Sequence, residues 1–294
     1  MNSLYDIIII GAGPAGLTAA IYGRRANKKV LVLESTSYGG RIISAKEIEN
    51  YPGFINISGV DLANKLYEQA KSIGALIVFE RVDSIEDLIE YKSVSTNKNT
   101  YKGKSVIIAN GINNKKIGLP NERELTGKGI SYCATCDGSF FKGKDVCVYG
   151  SGLTALEDAI YLSKICNKII IICPKDHLAY EDKVKNINNI EIKYNSTITS
   201  INGDNRLKSI TLNNNEELVI SGLFVAIGQA PDNSIFSNLV DLDEKGYIKS
   251  DEYGHTKTKG IYVAGDTRVK EYRQLTTATS DGTNACLTAI KELI

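Results

Sequence analysis

The chain has 294 residues, and its 35 lysines and arginines nearly balance 34 aspartates and glutamates, leaving a formal net charge of +1. That balance gives no electrostatic reason to expect nucleic acid or a charged membrane as a partner. The length predicts about two domains, each able to bury its own core.

The start of the chain leads directly into the apolar run Ile7–Ile10, without the basic start or the cleavage site of a signal peptide. No run approaches the roughly 20 apolar residues that a membrane-spanning helix needs. We therefore expect a soluble cytoplasmic protein, in a compartment that keeps ordinary thiols reduced.

The first motif is a strand, a glycine turn and a helix. The run Ile7–Ile10 is typical of a buried parallel strand, and GAGPAG follows at 11–16. Its glycines permit a tight turn and let a pyrophosphate approach the helix N-terminus. The next apolar run ends at Glu34, whose carboxylate can accept hydrogen bonds from both hydroxyls of a ribose. The whole pattern predicts a dinucleotide-binding unit rather than a bland glycine turn.

Loops, a helix and further strands follow. We predict loops at 38–41 and 49–53, a helix over 60–74, strands within 78–97 and a buried strand over 105–111.

A second unit has its own glycine turn, GSGLTA at 150–155. A helix over 156–165 and a strand over 168–172 should follow it, and 191–218 predicts a small antiparallel sheet with a turn at 213–215. The strand predicted at 223–228 closes this unit.

The last segment returns to the first unit through GIYVAGD at 260–266 and a final amphipathic helix over 281–293. The sequence thus predicts an α/β fold of two Rossmann-like, three-layer β/β/α domains, the second inserted into the first. The predicted bounds are 1–112 with 245–294 for the outer domain, 117–240 for the inserted domain, and 113–116 and 241–244 for the linkers.

Two residues separate Cys133 from Cys136, so a single helical turn can bring both sulfurs to one side and let them form and break a disulfide. Between two nucleotide-type units, such a pair indicates electron transfer. The main alternative, a structural zinc site, needs a second ligand pair, which neither His177 nor His255 supplies. The remaining cysteines do not supply one either, and we predict that Cys147, Cys166 and Cys286 are small core residues.

Five motifs occur in a specific order: GAGPAG at 11–16, ENYPG at 49–53, CATCDG at 133–138, GD at 265–266 and YRQ at 272–274. Together they resemble the low-molecular-weight thioredoxin reductases, flavoproteins of the pyridine nucleotide-disulfide oxidoreductase class, over almost the whole chain. The resemblance implies FAD in the outer domain, thioredoxin as the partner and a homodimer.

The resemblance also implies roles for single residues. Glu34 would bind the ribose, Asp266 the pyrophosphate or ribitol, and Arg273 and Gln274 the flavin ring, while Arg41 stands where the family usually has glutamine. The implied FAD-binding residues are Gly11, Gly13, Pro14, Ala15, Glu34, Gly40, Arg41, Asn50, Val82, Gly111, Gly265, Asp266, Arg273, Gln274 and Leu275.

At the dithiol, the resemblance implies that Cys136 faces the flavin, that Cys133 attacks the thioredoxin disulfide, and that Asp137 donates and accepts the proton. Without the resemblance, Asp137 would be taken as an ordinary turn or helix-start aspartate.

The electron donor is indicated by the run CPKDHLA at 173–179, which ends the second strand of the inserted domain. The NADPH-dependent family carries a His-Arg-Arg triplet there and a further arginine at the position of Ala179. Here only Lys175 is a cation of that set, and lysine lacks the bidentate geometry that suits phosphate. We therefore predict that this domain has lost efficient NADPH binding.

The missing arginines make the chain resemble the flavin thioredoxin reductases that take electrons from reduced ferredoxin. Two alternatives stay open: an NAD(P)H-dependent thioredoxin reductase with an atypical nucleotide site, and a non-catalytic FAD-binding redox sensor.

Overall fold

The computed structural model describes residues 4–293. They form two compact units: an outer unit of residues 4–113 and 230–293, and an inserted unit of Asn114–Gln229. The first crossing falls within the predicted linker at 113–116. The return crossing comes earlier than the predicted 241–244, because Phe236, Leu239 and Val240 are buried in the core of the outer unit.

The outer unit begins as a strand, helix, strand repeat. Its elements before the insertion are β1 (Leu4–Ile10), α1 (Pro14–Arg25), β2 (Val30–Glu34), α2 (Gly59–Ser72), β3 (Leu76–Phe79), β4 (Val82–Asp87), β5 (Lys92–Thr96) and β6 (Thr100–Ile108). Strands β3, β2, β1 and β6 pair in parallel, and β5 and β4 continue the sheet antiparallel. The predicted helix over 60–74 is confirmed as α2, with Ser58 Oγ accepting from Asp61 N at 3.0 Å as its N-cap.

Alternating residues of β1 serve two cores, as the two-residue period of a strand requires. Ile7 and Ile9 pack toward helices, whereas Ile8 and Ile10 pack in the cluster that contains Ile85.

The inserted unit repeats the parallel architecture and adds a small antiparallel sheet. Its helices and strands are β7 (Asn113–Asn114), α3 (Glu122–Leu125), β8 (Ile130–Ser131), α4 (Ala134–Asp137), β9 (Asp145–Tyr149), α5 (Leu153–Ser163), β10 (Lys168–Ile172), β11 (Ile190–Lys193), β12 (Ile198–Gly203), β13 (Leu207–Leu212), β14 (Glu217–Val219), β15 (Gly222–Val225) and β16 (Gln229–Ala230), the first and last of which lie at the crossings. The parallel order is β11-β10-β9-β15-β8, and β12, β13 and β14 form the antiparallel sheet.

One boundary of the predicted antiparallel sheet is wrong. The sheet begins at Ile198 rather than at Glu191, since β11 pairs in parallel with β10 and places Ile192 against the apolar core. The predicted turn at 213–215 is confirmed, with Asn215 at a φ of 64°.

The chain re-enters the outer unit through β17 (Ile261–Val263), which pairs in parallel with β6, and ends in α6 (Leu275–Glu292). Helix α6 starts six residues before the predicted 281 because Gln274 and Thr277 form a capping box. The α/β class is confirmed. Among residues 4–293, no helix has the length and apolarity needed to cross a membrane.

Candidate dinucleotide and dithiol sites

The glycine turn of the outer unit connects β1 to α1. A Cβ on Gly16 would lie 1.9 Å from Gly11 O, so only glycine lets the helix come this close to the strand end. A Cβ on Gly13 would meet only Gly40 Cα, at 4.0 Å, which leaves open space beside the turn. Pro14 follows as the first helical residue, where its missing N–H costs no hydrogen bond.

Glu34, at the end of β2, is hydrogen-bonded to this turn. Its Oε2 accepts from Ala12 N at 2.8 Å, and its Oε1 accepts from Thr36 N at 3.0 Å and Ser35 Oγ at 3.2 Å. A carboxylate has about four acceptor sites, so capacity remains for a ribose hydroxyl.

Asp266 lies beside the same turn, in a short 3-10 helix after β17. A Cβ on Gly265 would lie 2.9 Å from the Ala15 side chain. Arg41 Nη1 is 4.0 Å from Asp266 Oδ2, and Arg273 Nε donates to Asp266 O at 3.2 Å. Asp266 Oδ1 is buried with no hydrogen-bond partner, and burial raises the pKa of this carboxyl.

A buried charge cluster supports this region, and sequence reasoning missed it. Arg268 donates from Nε and Nη2 to the two oxygens of Asp281 at 2.9 Å, and Lys270 Nζ donates to the same carboxylate at 2.8 Å. Burial opposes ionisation of Asp281, but the hydrogen bonds from the two cations outweigh it and lower its pKa. The two cations two and four residues after Asp266 were the available sequence signal.

The other predicted FAD residues are more dispersed. Gln274 caps α6 and Leu275 opens it; Asn50 is exposed, Val82 is buried in the core, and Gly111 has a φ of 67° with nothing within 4 Å of where a Cβ would lie. The structure therefore brings together the turn, Glu34, Gly40, Arg41, Asp266 and Arg273. For Asn50, Val82 and Gly111 the role in FAD binding stays a prediction.

These residues fit FAD on two observations. The open space at Gly13 can accept a pyrophosphate at the N-terminus of α1. Two buried acceptors of the outer unit, Asp266 Oδ1 and Asn110 Oδ1, have no donor, and the ribitol of FAD carries hydroxyl donors.

Cys133 and Cys136 form a disulfide with an S–S distance of 2.07 Å at the short helix α4. Cys133 is the N-cap residue, and its Sγ accepts from Cys136 N at 3.2 Å. Ser131 Oγ donates to Asp137 Oδ2 at 2.6 Å and accepts from Cys133 N at 3.1 Å. Ser131 thus orients the Asp137 carboxylate at the end of α4, and the role of Asp137 in proton transfer stays a prediction.

A second anchor of the dithiol segment was also missed. Tyr132 OH donates to Glu122 Oε1 at 2.5 Å, and the same buried carboxylate accepts from Ile117 N and Gly118 N at 2.8 Å. Lys116 Nζ lies 3.8 Å from the centre of the Tyr132 ring. Burial and Glu122 raise the pKa of Tyr132. The residue before Cys133 is therefore tied to the segment that follows the first crossing.

The glycine turn of the inserted unit has different surroundings. A Cβ on Gly152 would meet nothing within 4 Å, and buried Ala155 stands at the third glycine position. After β10, Cys173 is buried with its Sγ donating to His177 O at 3.2 Å, and Ala179 N donates to Ser151 O at 3.1 Å. In the loop 173–179, the single lysine or arginine is Lys175, which is exposed.

The predicted core positions of Cys147, Cys166 and Cys286 are confirmed, and Cys173 is buried as well. Within residues 4–293 there is no group of three or more His, Cys, Asp or Glu side chains that could hold a metal ion. His177 is exposed, and His255 is partly exposed and hydrogen-bonded to two carboxylates.

Comparisons with known proteins agree with this geometry. A family model described as pyridine nucleotide-disulphide oxidoreductase matches residues 5–282. The thioredoxin reductase of Bacillus subtilis (strain 168) is 41% identical over 294 residues, covering 97% of this chain and 93% of the relative. The structure of Lactococcus lactis thioredoxin reductase matches with a TM-score of 0.82 at 36% identity, covering 98% of this chain and 99% of that chain. A ferredoxin-flavin thioredoxin reductase from Clostridium acetobutylicum matches with a TM-score of 0.57 at 33% identity, covering 99% and 98%.

Proposed function

The chain belongs to the pyridine nucleotide-disulphide oxidoreductase family, as its resemblance to the low-molecular-weight thioredoxin reductases implied, and on that premise we propose that its Cys133–Cys136 pair reduces the disulfide of a thioredoxin. The observation that carries the proposal is the disulfide itself, with Asp137 oriented beside it by Ser131.

The exchange proceeds in two steps once the pair is reduced. The Cys133 thiolate attacks one sulfur of the thioredoxin disulfide, so that a mixed disulfide forms and a thioredoxin thiolate leaves. Cys136 then attacks Cys133, which reforms the Cys133–Cys136 disulfide and releases thioredoxin as a dithiol. Asp137 would hold a proton for the departing thiolate at Oδ2, where Ser131 Oγ now donates.

FAD is the cofactor that the family implies, and the chemistry it supplies when bound is the delivery of two electrons per turnover. The outer unit would hold its pyrophosphate at the Gly11–Gly16 turn and its adenosine ribose at Glu34.

The donor we propose is reduced ferredoxin, which would transfer one electron twice. The support is the nucleotide loop of the inserted unit, where Cys173 is buried and Lys175 is the single lysine or arginine. The ferredoxin-flavin thioredoxin reductase among the structural relatives is consistent with it. NAD(P)H is the second candidate, because Gly152 leaves open space at the start of α5.

An anaerobic titration of the oxidised holoenzyme with NADPH, NADH and reduced ferredoxin tests the donor. We expect reduced ferredoxin to bleach the flavin absorbance and the two nicotinamides to leave it unchanged within the turnover time. Rapid bleaching by NADPH would contradict the proposed donor without affecting the rest of the proposal.

The double variant Cys133→Ser, Cys136→Ser tests the dithiol. It should bind FAD like the wild type and lose thioredoxin reduction by about three orders of magnitude or more, because both sulfurs that exchange are gone. The single variant Cys136→Ser is the matched control, since its Cys133 should trap thioredoxin as a mixed disulfide visible by mass spectrometry. Thioredoxin reduction retained in the double variant would contradict the proposal.

A further inference from the structure

Asn110 follows β6, immediately beside the glycine turn that follows β1. A Cβ on Gly11 would lie 3.1 Å from Asn110 Cα. Strand β2 lies on one side of β1 and β6 on the other, so the strand order of this parallel part of the sheet changes sides at β1. Open α/β sheets bind ligands at this switch point, at the carboxyl ends of the strands.

The orientation of the Asn110 amide is fixed by its neighbours. Asn233 Nδ2 donates to Gly246 O at 2.9 Å, so Asn233 Oδ1 must be an acceptor, and Thr267 Oγ1 donates to it at 2.9 Å. The Asn110 atom at 3.0 Å from Asn233 Oδ1 must therefore be the donor Nδ2, which also donates to Asp232 O at 3.1 Å.

Asn110 Oδ1 is then an acceptor that cannot rotate away, and it is buried without a donor. An unsatisfied buried acceptor is costly, so such groups usually mark a missing partner. The partner must supply an O–H or N–H, which excludes a phosphate oxygen.

The position in the sheet indicates which half of the cofactor lies there. Glu34 ends β2, on the side of β1 that receives the adenosine. Asn110 and Asp266 follow β6 and β17, on the opposite side of β1. In FAD, the group that extends to that side from the pyrophosphate is the ribitol chain, which carries hydroxyl donors.

We propose that Asn110 Oδ1 accepts a hydrogen bond from a ribitol hydroxyl of FAD, which makes Asn110 a cofactor-binding residue; the assignment rests on the proposed FAD-dependent function. Asp232, Asn233 and Thr267 act through it as positioning residues, because they hold the amide in the required orientation.

The test is a thermodynamic cycle on the full-length apoprotein. FAD and its analogues lacking the 2′-, 3′- or 4′-hydroxyl of the ribitol are titrated into the wild type and Asn110→Leu, and binding is followed by flavin fluorescence. We expect Asn110→Leu to weaken FAD binding about tenfold. One of the analogues should bind the wild type more weakly than FAD does, by a similar factor. The same analogue should bind Asn110→Leu as tightly as FAD binds that variant.

Two controls separate a lost contact from a damaged fold. ADP, which lacks ribitol, should bind both proteins equally, and Asn205→Leu, at an exposed position of the inserted unit, should bind FAD like the wild type. If circular dichroism shows that Asn110→Leu is unfolded, Asn110→Ser replaces it in the same cycle.

The assignment is overturned if Asn110→Leu binds FAD as tightly as the wild type does, or if the substitution weakens ADP binding together with FAD binding. It is also overturned if, for all three analogues, removing the hydroxyl weakens binding to Asn110→Leu by the same factor as binding to the wild type. In those cases the wild type still binds FAD and the proposed function stands. A wild-type apoprotein that binds no FAD overturns both.

Discussion

The two glycine turns of the molecule begin alike and differ in what surrounds them. Gly11 and Gly150 would each place a Cβ within 2.4 Å of a backbone oxygen, so both turns need glycine there. The outer turn is followed by Glu34, which is hydrogen-bonded to it, whereas the inserted turn is followed by buried Cys173. The glycines thus indicate that a strand packs closely against a helix. The residue at the end of the next strand indicates whether the unit binds a nucleotide.

The largest expected effect is that of Gly16→Ala. Its methyl would lie 1.9 Å from Gly11 O, so α1 must move away from β1. We expect the free energy of unfolding to fall by about 3 kcal/mol or more, with loss of FAD binding. Thermal unfolding and flavin content measure both. Ala155→Gly, at the equivalent position of the inserted unit, is the matched control and should cost only about 1 kcal/mol. Equal losses would mean that the two turns pack alike.

Gly13→Ala and Gly152→Ala form the next pair. Neither methyl meets an atom closer than 4.0 Å, and both backbones are extended, so the apoproteins should be as stable as the wild type. Gly13→Ala should weaken FAD binding about tenfold to a hundredfold, because the methyl enters the space of the pyrophosphate. Gly152→Ala should change no flavin property and no reduction rate. A reduction rate lowered by Gly152→Ala would indicate a nucleotide in the inserted unit.

Restoring cations to the inserted unit sharpens the comparison. Lys175→Arg combined with Ala179→Arg should tighten NADPH binding about tenfold or more, because arginine binds phosphate in a bidentate manner. Isothermal titration of the holoenzyme measures the change. NADH, which lacks the 2′-phosphate, is the matched ligand and should gain nothing. Unchanged NADPH binding would show that the inserted unit lacks other features needed for nucleotide binding besides these two arginines.

The smallest effect concerns the two histidines, one in each unit. Hydrogen bonds to Asp251 and Glu292 raise the pKa of His255. The resulting stabilisation is complete below the unfolded pKa of about 6.5 and is lost as the pH rises through the folded pKa.

His255→Asn should therefore lower the free energy of unfolding by about 1 kcal/mol or less at pH 6, where solvent screens the half-exposed pairs, and by less at pH 9. Denaturant titrations at the two pH values measure the difference. His177→Asn is the control, because His177 and its partner Asp176 are 69% and 81% exposed. A stability loss in His255→Asn that is larger at pH 9 than at pH 6 would contradict a raised pKa of His255.

Local patterns predicted most of the fold and part of the site. The strand at Ile7–Ile10, the Gly11–Gly16 turn and the Cys133–Cys136 pair are each encoded within a few residues, and the structure has them as predicted. The pairing of Arg268 with Asp281 joins residues 13 apart. The cations at 268 and 270 indicate a charge cluster, but their spacing does not identify Asp281 as the partner.

The boundary near 230 was missed for a similar reason. Whether Phe236 belongs to one unit or the other depends on which core buries it, and the apolar character of the residue is the same in both cases. Tyr132 likewise reads as an ordinary aromatic residue until Glu122 is placed within 2.5 Å of its hydroxyl.

The four cysteines outside the dithiol differ from it in reactivity, and this affects thiol–disulfide exchange in the molecule. All four are buried, and burial raises the pKa of each thiol, that of Cys286 to about 12. Since the thiolate is the reactive form, these sulfurs are kinetically insulated from scrambling with Cys133 or with a bound partner. An alkylating reagent added to the reduced native protein should therefore modify two sulfurs, so its stoichiometry measures the fraction of the Cys133–Cys136 pair that is reduced.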